Sequence, residues 1–169
     1  MKQTKLKTFA VVSACMMGML SSSAQGVMQR TANYHPDGRG FSCVNGNNRY
    51  TRALYGSVDE WRLETSDRPI FAIFKKNNHR NIRFVIKCNG QAFQLDSVEY
   101  CKARYEAGKR EYLMKDKRWG SGVLKLSVLA YPQTEGAVWK FAAENFGKAK
   151  IEIVGMICET RVSKFKRAG

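Results

Sequence analysis

The stretch IRFVIKCNGQAFQL, residues 82–95, predicts a β-hairpin and with it the class of fold. Asn89-Gly90 is the favoured two-residue turn between two strands. This turn places Cys88 opposite Gln91 and leaves Cys101 far from Cys88. Side chains alternate between the faces of the first strand: Ile82, Phe84, Ile86 and Cys88 on one, and Arg83, Val85 and Lys87 on the other.

The same alternation recurs from residue 41 onward, interrupted by turn residues at short intervals. Roughly nine to eleven short strands at this spacing indicate an all-β protein built as an antiparallel β-sandwich. A helical period is absent apart from a weak signal near residues 99–110. Besides the hairpin, the predicted strands are 41–44, 49–55, a segment at 61–63, 70–74, 98–105, 111–115, 124–130, 137–143 and 151–158, and residues 75–80 are predicted to form a polar turn.

The final predicted strand runs into a basic tail, residues 161–169, without a closing element. A last strand without a partner leaves edge amides and carbonyls exposed. We therefore expect a sandwich that is incomplete at its C-terminus, because the chain is cut short or because the remaining partner is another polypeptide.

Residues 1–24 have the pattern of a secretory signal peptide. Three lysines precede an apolar run that is too short to span a membrane, and small residues follow it. We predict cleavage after Ala24 and export to the periplasm or the cell exterior. Residues 25–160 then form one β-sandwich domain, followed by the basic tail.

A second interpretation of the N-terminus concerns Cys15. The residues Val12-Ser13-Ala14-Cys15 resemble a lipoprotein cleavage box, which would make Cys15 a lipidated anchor. The apolar run continues beyond Cys15 to Leu20, where an anchored protein usually turns polar. The soluble exported form is therefore preferred.

The chain is strongly basic. Its net charge is +15, and removal of the three lysines in residues 1–24 would lower it to +12. Such a charge favours polyanions, and any association would weaken with salt. Excess lysine can equally serve solubility alone, and both interpretations stay open.

Four cysteines follow residue 24. An exported protein can oxidise such residues to disulfides, but four half-buried small apolar side chains are an equally good interpretation. A structural zinc site is not expected, because no CxxC pair occurs and the two histidines are far from any cysteine in sequence. The four are Cys43, Cys88, Cys101 and Cys158.

Catalytic and cofactor motifs are not found. The segment Trp119-Gly120-Ser121-Gly122 lacks the spacing of a nucleophile elbow, and no phosphate-binding loop occurs. Paired carboxylates could perform glycoside hydrolysis, but sequence spacing does not show which acids face each other. We predict no catalytic residue, no metal site and no cofactor; candidates by residue type alone are Asp96, Glu99, Glu106 and Asp116.

Basic and aromatic residues lie close together in NGNNRYTRALYG, residues 45–56. Such side chains can stack on sugars or bases. Alternatively Tyr50 and Leu54 point inward, while arginine stems cover the rim of an ordinary strand. The predicted binding residues, including two tryptophans from elsewhere in the chain, are Asn48, Arg49, Arg52, Tyr55, Trp61 and Trp119.

Four stretches carry a family resemblance: YHPDGRGFSCVNGNNRYTRALYG (34–56), RLETSDRPIFA (62–72), LDSVEYCKARYEAGKREYLMKDKRWGSGVLKLSVLA (95–130) and EGAVWKFAAENF (135–146). They are similar to the N-terminal part of large exported bacterial proteins grouped as domain-of-unknown-function family 4450. The resemblance covers essentially the whole chain after residue 24. Asn45-Gly46, Asn48-Arg49 and residues 52–56 carry it most specifically.

The resemblance implies a supersandwich-like β-domain that precedes a helical α/α toroid, as in glycosidases of this plan. In those enzymes the catalytic carboxylates come from the toroid. The resemblance also implies that this chain stops while the sandwich would still be continuing and lacks the toroid. Any sugar contact of residues 45–56 would then lie at a cleft shared with that domain.

Three hypotheses of function follow. The first is a truncated, non-catalytic N-terminal β-sandwich of an exported glycoside-hydrolase-like protein, with a glycan and the α/α toroid as partners. The second is a free-standing carbohydrate-binding module that uses Tyr50, Tyr55, Trp61 or Trp119 as stacking platforms. The third is a basic exported protein that binds polyanions through Arg49, Arg52 and the tail. Specific recognition of nucleic acid and a transmembrane span are not expected.

Overall fold

Two antiparallel β-sheets pack face to face in the computed structural model, which describes residues 33–56, 61–75 and 78–160. The all-β sandwich is therefore confirmed. Twelve strands lie in the described residues: β1 (His35–Asp37), β2 (Gly40–Val44), β3 (Tyr50–Tyr55), β4 (Trp61–Ser66), β5 (Phe71–Lys75), β6 (Asn78–Cys88), β7 (Gln91–Gln94), β8 (Tyr100–Glu106), β9 (Lys109–Lys115), β10 (Val123–Ala130), β11 (Ala137–Glu144) and β12 (Ile151–Thr160). Two short 3-10 helices, Leu95–Ser97 and Lys117–Trp119, connect strands.

The first sheet has the strand order β1-β2-β8-β9-β10-β11, and the second has β12-β6-β5-β4-β3, with β7 also paired to β6. The one strand that the alternation did not predict is β1. It has three residues, one of which is Pro36. Proline cannot donate to a ladder and is confined to places such as sheet edges, so this strand gives no periodic signal.

The predicted hairpin is present as β6 and β7. Cys88 pairs with Gln91, and both turn residues have positive φ angles, 50° at Asn89 and 79° at Gly90. This is the geometry of the tight turn that Asn-Gly favours. The predicted inward face is also confirmed, since Ile82, Phe84, Ile86 and Cys88 are all buried.

Two details of the prediction are wrong. Lys75 and residues 78–80 do not belong to the polar turn predicted at 75–80, because β5 continues to Lys75 and pairs there with Asn78 at the start of β6. The last strand does not lack a partner, because β12 pairs with β6 from Ile151 to Thr160. In the strand order of the described residues β12 is nevertheless an end strand, so the expected sheet edge lies on its other side. Strand β6 is long enough to accept β12 along one side while β5 and β7 share the other.

The predicted signal peptide, the lipid-anchor alternative at Cys15 and the basic tail 161–169 all lie outside the described residues. Within the described ranges, no helix is long and apolar enough to cross a membrane.

The core lies between the sheets and is held by aromatic contacts that cross the gap. Phe71 of β5 makes edge-to-face contacts with Tyr112 of β9 and Trp139 of β11, both with ring centroids at 5.8 Å. Its ring also meets Phe84 of β6 at 6.0 Å. Because Phe71 is fully buried and contacts both sheets, its ring is a central part of the packing.

Replacing Phe71 by alanine should lower the free energy of unfolding by about 3–5 kcal/mol, because it leaves a cavity between the sheets. Phe41→Ala is the control, since Phe41 is 47% exposed and its truncation should cost less than about 1 kcal/mol. Denaturant unfolding monitored by circular dichroism measures both values. Equal losses for the two variants would contradict this account of the core.

Candidate functional site

Strand β3, which contains two of the predicted binding residues, Arg52 and Tyr55, begins with a β-bulge. Its register against β4 shifts between Tyr50 and Arg52. The extra residue, Thr51, turns inward and donates from its hydroxyl to Asp67 at 2.9 Å. The bulge therefore breaks the alternation, so that Leu54 is buried as predicted while Tyr50 stays 43% exposed rather than pointing inward.

Arg52 lies on the side of β3 that faces the first sheet. Its guanidinium carbon is 5.6 Å from the ring centroid of Tyr34 and 5.5 Å from that of Tyr105. These are cation–π distances. Arg52 therefore packs its guanidinium group against two tyrosine rings.

A second arginine continues this arrangement into the core. Arg110 of β9 is fully buried, and its guanidinium carbon is 5.4 Å from the ring centroids of both Tyr34 and Tyr112. The rings and guanidinium groups therefore alternate from the surface inward. We call this set the arginine–tyrosine cluster: Tyr105, Arg52, Tyr34, Arg110 and Tyr112.

Arg110 joins the two sheets through hydrogen bonds. Its Nη2 donates to the carbonyl oxygen of Ser66 at 2.8 Å and to the hydroxyl of Tyr34 at 2.5 Å. The Tyr112 hydroxyl donates to the same Ser66 carbonyl at 2.8 Å. Nε and Nη1 of Arg110 are buried without a hydrogen-bond partner. The rings of Tyr34 and Tyr112 pack against the guanidinium group of Arg110.

The counter-charge to Arg110 is Asp67, which is 2% exposed. One carboxylate oxygen lies 3.8 Å from Arg110 Nη2 and also accepts a short hydrogen bond from Tyr34. Burial raises the pKa of Tyr34. The positive charge of Arg110 lowers this pKa and the hydrogen bond to Asp67 raises it, and the net shift is upward. Tyr34 is therefore protonated at neutral pH and donates to the carboxylate.

Arg110, Asp67 and Tyr34 were not predicted as site residues from the sequence. One signal was available in the sequence, because Arg110, Tyr112 and Met114 occupy alternate positions and so share one face of a strand. The structure buries all three. An arginine at an apolar-face position predicts a buried charge that needs a partner. The partner itself, in the turn after β4, is distant in sequence and carries no local signal.

Asn48 and Arg49 lie in the exposed turn that precedes β3, where Asn48 has a φ of 57°. A hydrogen bond holds the turn in place, because Arg68 Nε donates to the carbonyl of Gly46 at 3.0 Å. Asn45 accepts from the backbone of Cys101 at 2.9 Å. The turn thus holds Asn48 and Arg49 at the surface beside the bulge.

Tyr55 points away from Arg52, to the outer face of the second sheet, and is 69% exposed. The register places Arg62 next to Tyr55 and Phe74 next to Arg62. The guanidinium carbon of Arg62 lies 4.4 Å from the Phe74 ring centroid. Arg52 and Tyr55 therefore do not act on one ligand surface, although they are close in sequence.

The two predicted tryptophan platforms are buried, and this corrects their assignment as binding residues. Trp61 and Trp119 are each 4% exposed. The Trp119 indole donates to the carbonyl of Gly122 at 3.0 Å, and its ring stacks on Phe93 at 5.9 Å. Neither indole has a free face for a sugar, because both contribute to the core between the sheets.

Two of the four acids that were candidates by type, Asp116 and Glu106, are paired with arginines of the fold. Asp116 accepts from the Arg118 side chain at 2.6 Å and from the Glu99 backbone at 3.0 Å. Burial would raise its pKa, but these bonds and the Arg118 charge lower it to about 2. Glu106 also has a lowered pKa, because Arg104 donates to it. A general acid requires a raised pKa, so neither suits that role.

The cysteines of the described residues are free thiols, with Cys158 exposed and the other three buried. Burial raises the pKa of Cys101 to about 12, which suppresses its thiolate and with it nucleophilic reactivity. Across residues 33–56, 61–75 and 78–160, no three side chains of the metal-ligating types converge into a possible metal site.

A comparison with protein-family models matches residues 78–169 to the family described as Domain of unknown function (DUF4450). The match spans more than half of the chain and includes the motifs at 95–130 and 135–146. The motifs at 34–56 and 62–72 precede it, so the match is narrower than the resemblance proposed from sequence. No curated protein and no solved structure matches the chain.

Arg110→Met should lower the free energy of unfolding by about 3–5 kcal/mol, because it leaves the Asp67 carboxylate buried without a cation. Combining it with Asp67→Asn removes that uncompensated charge, so the double variant should lose less than the sum of the single losses. Denaturant unfolding of the four proteins gives the coupling energy. Strictly additive losses would contradict the proposed ion pair. Arg52→Met is the control for the loss of an exposed arginine.

Proposed function

The chain belongs to the DUF4450 family, and we propose that it is the non-catalytic N-terminal β-sandwich of an exported glycoside-hydrolase-like protein that acts in carbohydrate processing. In this proposal the protein works in the periplasm or outside the cell. Bond cleavage belongs to an α/α toroid, and the sandwich supplies a rigid support beside it. The family match supports the assignment to a domain family, and the further steps are our inference.

One observation favours a structural rather than a catalytic role for this domain. The buried carboxylates of the described residues, Asp67 and Asp116, are both occupied by internal partners. Asp67 faces Arg110 and accepts from Tyr34 and Thr51. Asp116 accepts from Arg118 and Glu99. Acids committed in this way stabilise the fold and are not free to exchange protons with a glycosidic bond.

A second candidate function, carbohydrate binding, is favoured by the exposure of Tyr55. Tyr55 is 69% exposed on a sheet face, next to the Arg62–Phe74 stack. Aromatic side chains on a flat sheet suit the apolar faces of sugar rings. In this case the sandwich would hold a neutral glycan near the catalytic domain.

Incubation of the purified chain with a panel of plant and host polysaccharides should release no new reducing ends. The physical reason is that the pKa values of Asp116 and Glu106 are lowered, whereas the general acid of glycoside hydrolysis requires a raised pKa. A known glycosidase, added to parallel samples, verifies that the substrates can be cleaved. Turnover by the chain alone would overturn the non-catalytic role.

Binding of neutral polysaccharides should weaken several-fold in Tyr55→Ala, because an aromatic contact contributes about 0.5–1.5 kcal/mol. Tyr100→Ala, on the other sheet, is the matched control and should leave affinity unchanged. Isothermal titration calorimetry measures both. Unchanged affinity in Tyr55→Ala, or no binding at millimolar ligand, would remove this second candidate.

A further inference from the structure

The two sheets end unevenly on one side of the sandwich. In the strand order of the described residues, β11 is the end strand of the first sheet and β12 is the end strand of the second. The rings of Trp139 and Phe141 of β11 contact Phe71 and Phe84, which belong to β5 and β6. Strand β12 lies one position further out than β6, so the second sheet projects beyond the first as a step.

The exposure of paired residues shows this step. Ile82 of β6 and Ile157 of β12 are register partners on the inner face of the second sheet, yet Ile82 is 5% exposed and Ile157 is 66% exposed. The next β12 residue on that face is Gly155, which has no side chain and lies against the ring of Phe84. The inner face of β12 is therefore apolar and open near Ile157. We call the free edges of β11 and β12, together with this inner face, the stepped edge.

The stepped edge lacks the features that protect the end strands on the opposite side of the sandwich. There, β1 has only three residues and contains Pro36, and β3 has the bulge at Thr51. Short strands, proline and bulges hinder edge-to-edge pairing. Strands β11 and β12 have eight and ten residues, without a proline or a register shift. Within the described residues no strand lies beside their outer edges, so the backbone there can pair with a further strand.

The charge of the stepped edge also permits this basic chain to associate with itself. The whole chain has a net charge of +15. Strands β11 and β12, in contrast, contain one cation and three acids: Lys140, Glu144, Glu152 and Glu159. The large apolar side chains exposed on these two strands are Val138, Val154 and Ile157. Repulsion between two basic copies is therefore weakest on this side.

We propose that the stepped edge joins two copies of this chain in a symmetric dimer. A two-fold rotation about an axis parallel to the strands brings the first sheet of one copy into line with the second sheet of the other. Strand β12 of each copy then fills the step of the other copy. There it pairs with β11 and covers the open inner face of the other β12. The two Ile157 side chains meet in one apolar layer.

Strand direction is compatible with this pairing. Along β11, Trp139 contacts Phe71, the register partner of Ile82, and Phe141 contacts Phe84, so β11 runs in the direction of β6. Strand β12 is antiparallel to β6 and therefore to β11. An axis parallel to the strands preserves their direction, so β12 of one copy meets β11 of the other in antiparallel orientation.

The size of the joint suits a stable dimer. Eight paired residues are about 27 Å long, and two sheet edges about 10 Å thick plus one strand about 5 Å wide make the joint about 25 Å across. Each chain would bury about 700 Å², or about 1,400 Å² for the pair, and specific interfaces bury about 1,200–2,000 Å² in total. The dimer does not depend on the proposed role in carbohydrate processing.

Sedimentation velocity of the purified full chain should show a monomer that converts to a dimer as the concentration rises. A reductant in all samples prevents the exposed thiol of Cys158 from crosslinking two chains. Ile157→Lys should weaken dimerisation at least about tenfold, because it places two like charges between apolar faces. Thermal unfolding verifies that this variant keeps its fold.

The matched control is Val44→Lys, which adds the same charge at an apolar residue that is 52% exposed on β2, away from the stepped edge. It should leave the dissociation constant of the dimer unchanged. Hydrogen–deuterium exchange then locates the interface, since amides of β11 and β12 should exchange more slowly in the dimer and those of β1 and β3 should not.

Three results would overturn the proposal. The first is a monomer at every concentration up to about 100 μM, where a joint of this size should associate. The second is an equal effect of Ile157→Lys and Val44→Lys, which would show a general charge effect. The third is a dimer whose slowed amides lie outside β11 and β12.

Discussion

The buried guanidinium group of Arg110 is the constraint on which much of this structure depends. A charge that is removed from water must be paired and hydrogen-bonded, or it destabilises the fold by several kcal/mol. Arg110 comes from the first sheet, and its partners Ser66 and Asp67 come from the second. Pairing them fixes how the sheets face each other at this end of the sandwich. It also accounts for the bulge at Thr51, which directs a hydroxyl to Asp67, and for the position of Tyr34.

This constraint separates the parts of the molecule that hold it together from those that are open to ligands. Arg110, Asp67 and Asp116 are buried and committed to internal partners. The outer faces of the sheets carry different side chains, with Tyr55 exposed on one and the ion pairs Lys102–Asp37 and Lys125–Glu144 on the other. A fixed interior of this kind is what the proposed supporting role requires.

Much of the fold was predictable because burial on one face of a strand forces alternation. The hairpin at Asn89-Gly90 and the inward face of β10 follow directly from that rule. The site was less predictable. Arg110 occupies a position that the rule reserves for apolar residues, and the bulge at Thr51 changes the faces of its neighbours. Trp119 could not be distinguished from a surface platform, because a core indole and a sugar-binding indole look alike in sequence.

The most direct test of the account is a measurement of how fast the guanidinium protons of Arg110 exchange with water. Nitrogen-15 NMR of the arginine side chains resolves these groups, and Arg110→Lys assigns the signal. A guanidinium group buried between the sheets should exchange its protons slowly, as expected for Arg110, whereas the exposed Arg52 should exchange fast. Exchange of Arg110 as fast as that of Arg52 would contradict the claim that a buried ion pair holds the two sheets together.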